Sequence, residues 1–320
     1  MAETEVLPLA KDFFNDVRSG LSQCPKKLSS KYLYDVKGDE LFQQIMQLPE
    51  YYLTRCEMDI FKNKTEELAL SVGSAPFDLI ELGAGDGTKS MHLLKHLQEK
   101  SAEFTFIPID ISGNILKVLE TKVKAQIPAI NIQCLKGDYF EMLTEAVQYS
   151  TRRKVVLLLG GNIGNMTAVE AENFCSSLFK ALSPGDRVII GFDLKKHPKT
   201  ILNAYDDSQG ITAAFNLNLL VRINRELGAN FELDQFEHYQ SYNPENGECR
   251  SYLVSLYEQT VNLQNSTIRF MENETIFMEV SRKFSPDDIN LLAQQTGFTP
   301  VGRIMDSKEW FADAVWEILE

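Results

Sequence analysis

Residues 81–90 read ELGAGDGTKS, with Gly83, Gly85 and Gly87 alternating around Ala84 and Asp86, and with Glu81 two positions before the first glycine. Glycines at this density let a backbone turn tightly and approach a ligand closely, and the amides of a following helix start attract anions. The spacing nevertheless excludes both common phosphate loops. A dinucleotide fingerprint, G-x-G-x-x-G, needs a third glycine where Thr88 stands, and the loop with four residues between its glycines and a terminal Gly-Lys-Ser/Thr is absent. An NAD-dependent oxidoreductase is disfavoured on the same ground. Carboxylates facing a pyrophosphate would also repel it, so an acidic loop suits a ligand without phosphate.

The elements around the loop alternate strand and helix over residues 76–195. PFDLIEL (76–82) is a short apolar run that ends at the loop, and Met91, Leu94 and Leu97 follow at helical spacing. FTFIPID (104–110) reads as the second strand, ILKVLETKV as a helix, and INIQCLKGDYF (130–140) as a third strand. VVLLL (155–159) is apolar on both faces, as buried parallel strands are. An amphipathic helix over 168–182 closes at Ser183–Pro184–Gly185, and RVIIGFD (187–193) is the fifth strand. This rhythm predicts an α/β fold, a Rossmann-like doubly wound sheet with ligands at the C-terminal strand ends. The flanks differ: residues 1–70 read as mostly helix and 197–250 as polar and helical in pattern. SYLVSLYEQTV and TIFMEVSRKF then alternate as antiparallel strands do. The expected organisation is a ligand-binding core over 60–196, an added α+β substrate lobe from 1–59 plus 197–285, and a C-terminal segment, 286–320, completing the core sheet.

The acidic start and alternating glycines, E-x-G-x-G-x-G, resemble motif I of class I S-adenosylmethionine-dependent methyltransferases. That ligand has a sulfonium, an amino group, a carboxylate, a ribose and an adenine. Asp110, 29 residues after Glu81, closes the second strand, where a carboxylate can accept both ribose hydroxyls. Asp138, in Gly137–Asp138–Tyr139–Phe140, can accept from the adenine amino group while the next backbone N–H donates to the ring. Lys89, in the first helical turn, is a candidate partner for the methionine carboxylate. Each signal alone is weak, and a strand-ending Asp serves equally as a helix cap; their register on three successive strands favours this methyl donor.

The net charge of −13 opposes a nucleic-acid partner or an anionic membrane surface. No stretch approaches the roughly 18 consecutive apolar residues of a membrane span. The N-terminal residues lack the basic start and apolar run of a signal peptide, so a cytoplasmic chain is expected. A monomer is the expected state. The five cysteines are scattered and form no C-x-x-C pair, which favours reduced thiols over a zinc site. His92 and His96 stand at i, i+4 without a third ligand, so solvated helix surface is expected there rather than a metal.

LPEYYLTR (48–55), the glycine loop, GGNIGN (160–165), AYDD (204–207), TAAFN (212–216), NRELGANFELDQFEH (224–238) and MEVSRKF (278–284) occur in that order. Together they resemble the histidine-specific Nα-methyltransferase family of ergothioneine biosynthesis, over nearly the whole chain. The resemblance implies transfer of three methyl groups to the α-amino group of L-histidine, giving hercynine. It further implies that Tyr51 is a substrate-pocket tyrosine, that Asn165 and Tyr205 hold the amino-acid backbone, and that Glu279 and Ser281 read the imidazole. Gly83, Lys89, Asp110, Asp138 and Tyr139 match cofactor positions, Tyr139 replacing the family's phenylalanine. Tyr34, in KYLYD, matches a tyrosine near the reacting nitrogen, whose hydroxyl can hold the amine or a water. Ser251 stands where members carry a methionine against the substrate side chain, and a smaller, polar wall there predicts a larger pocket.

The chemistry agrees with these residues. An α-amino group with a pKa of about 8 sheds its proton with modest help. Displacement at a sulfonium methyl has a good leaving group, so positioning supplies most of the catalysis. A buried Glu279 accepting a ring N–H rewards a basic heterocycle over an indole. Two alternatives remain at this stage: an α-N-methyltransferase for another amino acid such as tryptophan, and a non-catalytic regulator that binds the cofactor. Tyr51 as a packing aromatic, Glu279 as a surface charge and AYDD as a helix cap are the bland readings of the same residues.

Overall fold

The computed structural model describes residues 8–319; the expectations for the first seven residues and for Glu320 lie outside them. The chain divides into two compact units, Leu53–Lys195 with Arg282–Glu320, and Met1–Tyr52 with Lys196–Ser281.

In the larger unit, eight strands of the described residues share one sheet: β1 (Phe77–Leu82), β2 (Phe104–Asp110), β3 (Asn131–Ile132), β4 (Leu135–Lys136), β5 (Arg153–Leu158), β6 (Arg187–Asp193), β7 (Thr299–Met305) and β8 (Phe311–Glu317). Their spatial order is β7-β8-β6-β5-β1-β2-β3, with β4 also on β2. β1 to β6 pair in parallel, and β8 runs antiparallel to both β6 and β7. The chain leaves β1 on the β2 side and returns through β5 on the other. The glycine loop that follows β1 therefore opens at the switch point where such sheets take their ligands. β1 is buried along its whole length, which its near-continuous apolar run requires of a strand covered on both faces.

The third strand is not continuous. β3 and β4 are two short pieces at the sheet edge, bridged by Gln133, whose N–H donates to Phe106 O at 2.9 Å. Asp138 lies beyond the strand. It caps the helix Tyr139–Gln148, its carboxylate accepting from Phe140 N–H at 2.9 Å.

The smaller unit carries the helices Pro8–Leu21, Val36–Gln47, Pro198–Tyr205 and Ile211–Leu227. Its four-stranded sheet has the order Lys26–Lys27, Thr275–Arg282, Glu248–Ser255, Phe236–Tyr242, and a hairpin joins Gln259–Leu263 to Ser266–Phe270. Phe236–Tyr242 falls within the stretch whose polar pattern reads as helical. It forms a strand because it pairs antiparallel with Glu248–Ser255 across the turn at Asn243–Gly247, a tertiary gain that overrides local preference. The run SYLVSLYEQTV is likewise split between the sheet and the hairpin.

Candidate active site

All three loop glycines adopt left-handed backbone: φ is +70° at Gly83, +54° at Gly85 and +66° at Gly87. At Gly83 space is also short, since a Cβ there would lie 2.5 Å from the Tyr139 hydroxyl. Glycine is thus required both by conformation and by the ring that lies against the loop.

The two acids of the motif turn out to be structural. Glu81 is 2% exposed and takes hydrogen bonds from Ser90 Oγ at 2.6 and 2.5 Å, tying the end of β1 to the helix Ser90–Glu99. Burial pushes its carboxyl up to about 7, against the opposing pull of Ser90 and Lys89. Asp86 faces outward. Burial works against its charge, but Thr88 donates to it through both backbone N–H and hydroxyl, and the Lys122 ammonium lies 3.1 Å away. Together they hold it below the usual carboxylate range. Thr88, the residue that breaks the dinucleotide pattern, thus braces the loop.

Asp110 ends β2 with its carboxylate accepting from Gly85 N–H at 3.1 Å and from Ser112 N–H at 2.9 Å, so loop and strand end are fixed to each other. Lys89 pairs with Glu57, a side chain that sequence reasoning did not single out. Glu57 is 1% exposed, on the helix Leu53–Asn63, and also accepts from Gly160 N–H at 2.7 Å. Burial opposes the Lys89 charge, but Glu57, by its charge and its hydrogen bond, raises the lysine pKa. A quarter of the lysine side chain remains exposed. Asn165 ends the 3-10 turn Asn162–Asn165 that follows Gly160 and Gly161, and it is exposed. The larger unit thus assembles Gly83, Gly85, Lys89, Asp110 and Tyr139 around one strand-end loop. It gives Asp138 the helix-cap role that its position equally allowed.

The smaller unit gathers the other expected residues. Tyr205 and Ser281 are joined hydroxyl to hydroxyl at 2.7 Å, and the Tyr51 ring stands 6.1 Å from that of Tyr205. Phe42 links Tyr51 to Tyr34, at 6.3 and 5.5 Å between ring centres, and Phe215 lies 5.5 Å from Tyr34. Tyr34 keeps 43% of its surface exposed, and partial desolvation with the charges of Glu279 and Asp39 pushes its phenol up. Glu279 is only partly buried, which corrects the expectation of a buried carboxylate there.

Ser251 sits in a buried polar network. Ser251 is 1% exposed, and its hydroxyl lies 2.8 Å from His238 Nε2 and donates to Asn216 Oδ1 at 3.0 Å. Desolvation lowers the His238 pKa despite the opposing charges of Asp206 and Asp207. The signal for this network was present in NRELGANFELDQFEH and TAAFN, but spacing in sequence does not reveal that they meet.

Among the described residues, no group of three or more His, Cys, Asp and Glu side chains is placed to hold a metal ion. No helix among them is long and apolar enough to cross a membrane. The donor set fits an uncharged ribose and a carboxylate: acids at the strand ends, one partly exposed ammonium, and a left-handed glycine loop with open space at Gly85. This strand order and loop define a class I, S-adenosylmethionine-dependent methyltransferase.

The family is narrower than the class. The model for histidine-specific, S-adenosylmethionine-dependent methyltransferases matches residues 13–318, and the chain belongs to that family. It is 37% identical over 276 residues to the histidine N-alpha-methyltransferase of Mycolicibacterium smegmatis, covering 86% of this chain and 85% of that protein. The protein of the same name from Mycobacterium tuberculosis is 36% identical over equal coverage. Ergothioneine biosynthesis protein 1 of Schizosaccharomyces pombe is 28% identical over 313 residues, which cover 95% of this chain and 40% of that longer protein.

Proposed function

We propose that this enzyme methylates the α-amino group of L-histidine in three successive steps, giving hercynine. S-adenosylmethionine, when bound, supplies an electrophilic methyl on a sulfonium. The chain's own residues need only hold the amine neutral, in line and dry. In this reading Tyr205 and Ser281 act as one hydrogen-bonded unit, with Tyr205 and Asn165 holding the amino-acid backbone and Ser281 and Glu279 taking the imidazole. Tyr51 walls the pocket. Tyr34 positions the amine or its water, and its raised phenol keeps the proton that lets it donate. Gly83, Gly85, Lys89, Asp110, Asp138 and Tyr139 hold the methyl donor. The observation that carries the reading is the convergence, within one unit, of side chains from the PEYY, AYDD and EVS segments. A cytoplasmic monomer is part of the same proposal.

The test is to incubate the protein with S-adenosylmethionine and each amino acid in turn, and to follow products by mass spectrometry. Histidine bearing one, two and then three added methyl groups supports the reading. Product from tryptophan but not histidine contradicts the substrate, and product from no amino acid favours a cofactor-binding regulator.

A further inference from the structure

The larger unit buries an acid that nothing above uses. Asp313 lies in β8, opposite Gly191 of β6, between Ala312 and Ala314. It is 0% exposed, and among the described residues neither of its carboxyl oxygens has a hydrogen-bond partner. Its charged neighbours are Glu57 and Lys89. Glu57 enters this spot because residue 191 is glycine: a Cβ there would come within 2.6 Å of Glu57 Oε1. Further out stand Glu81, whose charge also acts on Lys89, and Asp86, whose charge acts on Glu81.

One ammonium is thus paired with Glu57, and Asp313 lies buried beside that pair as a second carboxyl group. Both oxygens of Glu57 accept hydrogen bonds, one from Lys89 and one from Gly160 N–H, so Glu57 is the member built to carry the negative charge. Asp313 has no donor to stabilise an anion. An ionised carboxylate so placed, beside a second one, costs several kcal/mol in a dry interior. Burial, with the Glu57 charge adding to it, accordingly raises its pKa well above the ordinary value, although Lys89 pulls the other way.

We propose that Glu57 and Asp313 form a two-carboxyl clamp in which Asp313 carries the proton, fixing Lys89 through a single charge and leaving its remaining ammonium donors for the carboxylate of the methyl donor. The inference rests on the reading that Lys89 meets that carboxylate. Were both acids ionised, they would claim the ammonium between them and repel an incoming third carboxylate. Were both absent, the ammonium would lose its anchor. Glu57 and Asp313 are thus positioning residues for cofactor binding, and they act through Lys89.

Infrared difference spectroscopy with S-adenosylhomocysteine tests the clamp, because that ligand keeps the carboxylate and lacks the sulfonium. In a Glu81→Gln background, which removes the other buried carboxyl that holds a proton near neutral pH, the protein should show a protonated-carboxyl stretch that shifts when the ligand binds and is lost when Asp313→Asn is added. In Glu57→Gln the KM for S-adenosylmethionine should rise about tenfold, as loss of a charged hydrogen bond implies, with the KM for histidine unchanged. A ligand that binds without moving the band overturns the clamp while leaving the cofactor reading intact, whereas a ligand that does not bind at all overturns the cofactor reading. A band that survives in Asp313→Asn assigns the proton elsewhere and also sinks the proposal.

Discussion

Tyr205 and Ser281, 76 positions apart, share a hydrogen bond of 2.7 Å between hydroxyls that are both buried. The bond ties the end of the helix Pro198–Tyr205 to the strand Thr275–Arg282. Tyr205→Phe keeps the ring and its 6.1 Å spacing from Tyr51 but removes the hydroxyl that meets Ser281. The expected cost is about 1 kcal/mol, or roughly a fivefold rise in the KM for histidine, with the KM for the methyl donor unchanged. Steady-state kinetics with each substrate varied separately measures both.

Glu279 is the residue expected to discriminate imidazole from other side chains. Glu279→Ala should weaken histidine binding by about 2 kcal/mol, the scale of a charged hydrogen bond, and leave cofactor affinity intact. Calorimetry with each ligand separates the two; equal loss of both affinities would show that Glu279 has been assigned to the wrong ligand.

Gly83→Ala meets two obstacles at once, a backbone at φ +70° and the Tyr139 hydroxyl 2.5 Å from the new Cβ. Left-handed strain alone costs about 1–2 kcal/mol. Cofactor affinity should therefore fall at least about tenfold. Adding Tyr139→Phe removes the hydroxyl contact but not the strain, so the double variant should recover part of the affinity and no more. Full recovery in equilibrium dialysis would mean that the backbone conformation does not matter.

Glu81 links the loop to the pH dependence of stability. Its carboxyl rises from an ordinary 4.5 to about 7 on folding. The folded chain therefore holds this proton more tightly than the unfolded one. Its favourable contribution is complete below pH 4.5 and is lost as pH rises through about 7. Over that interval Glu81→Gln, which keeps an acceptor for Ser90, should gain up to about 3 kcal/mol relative to the wild type. Thermal unfolding of both proteins at several pH values reads this directly; a constant difference between them would contradict the assignment.

The alternation of β1, β2, β5 and β6 was legible because parallel strands buried on both faces leave apolar runs that few other elements produce. The edge was not: β3 and β4 pair through only two residues each, so the sequence 130–140 shows a strand-like pattern with nothing to mark its break. Phe236–Tyr242 is a strand only by virtue of its partner. Within the site, the glycines and Asp110 announce themselves by position. Glu57 and Asp313 do not, although each left a trace. Glu57 sits among Leu53, Cys56, Ile60 and Phe61 on the buried face of its helix, and Asp313 is the lone acid in the apolar run FADAVW. An acid in such surroundings signals a buried partner without saying which. The partners of Ser251, His238 and Asn216, were hidden for the same reason, since they come from elsewhere in the chain.

The central claim is that the enzyme acts on the α-amino group of histidine. Its most direct test is to compare kcat/KM for histidine and tryptophan under identical S-adenosylmethionine, with the methylated atom located by NMR. The account predicts a preference for histidine of about thirtyfold or more, the worth of a charged hydrogen bond to a basic ring whose second nitrogen an indole lacks, with every new methyl on the α-nitrogen. Equal or greater efficiency with tryptophan, or methyl groups on the imidazole ring, would contradict it.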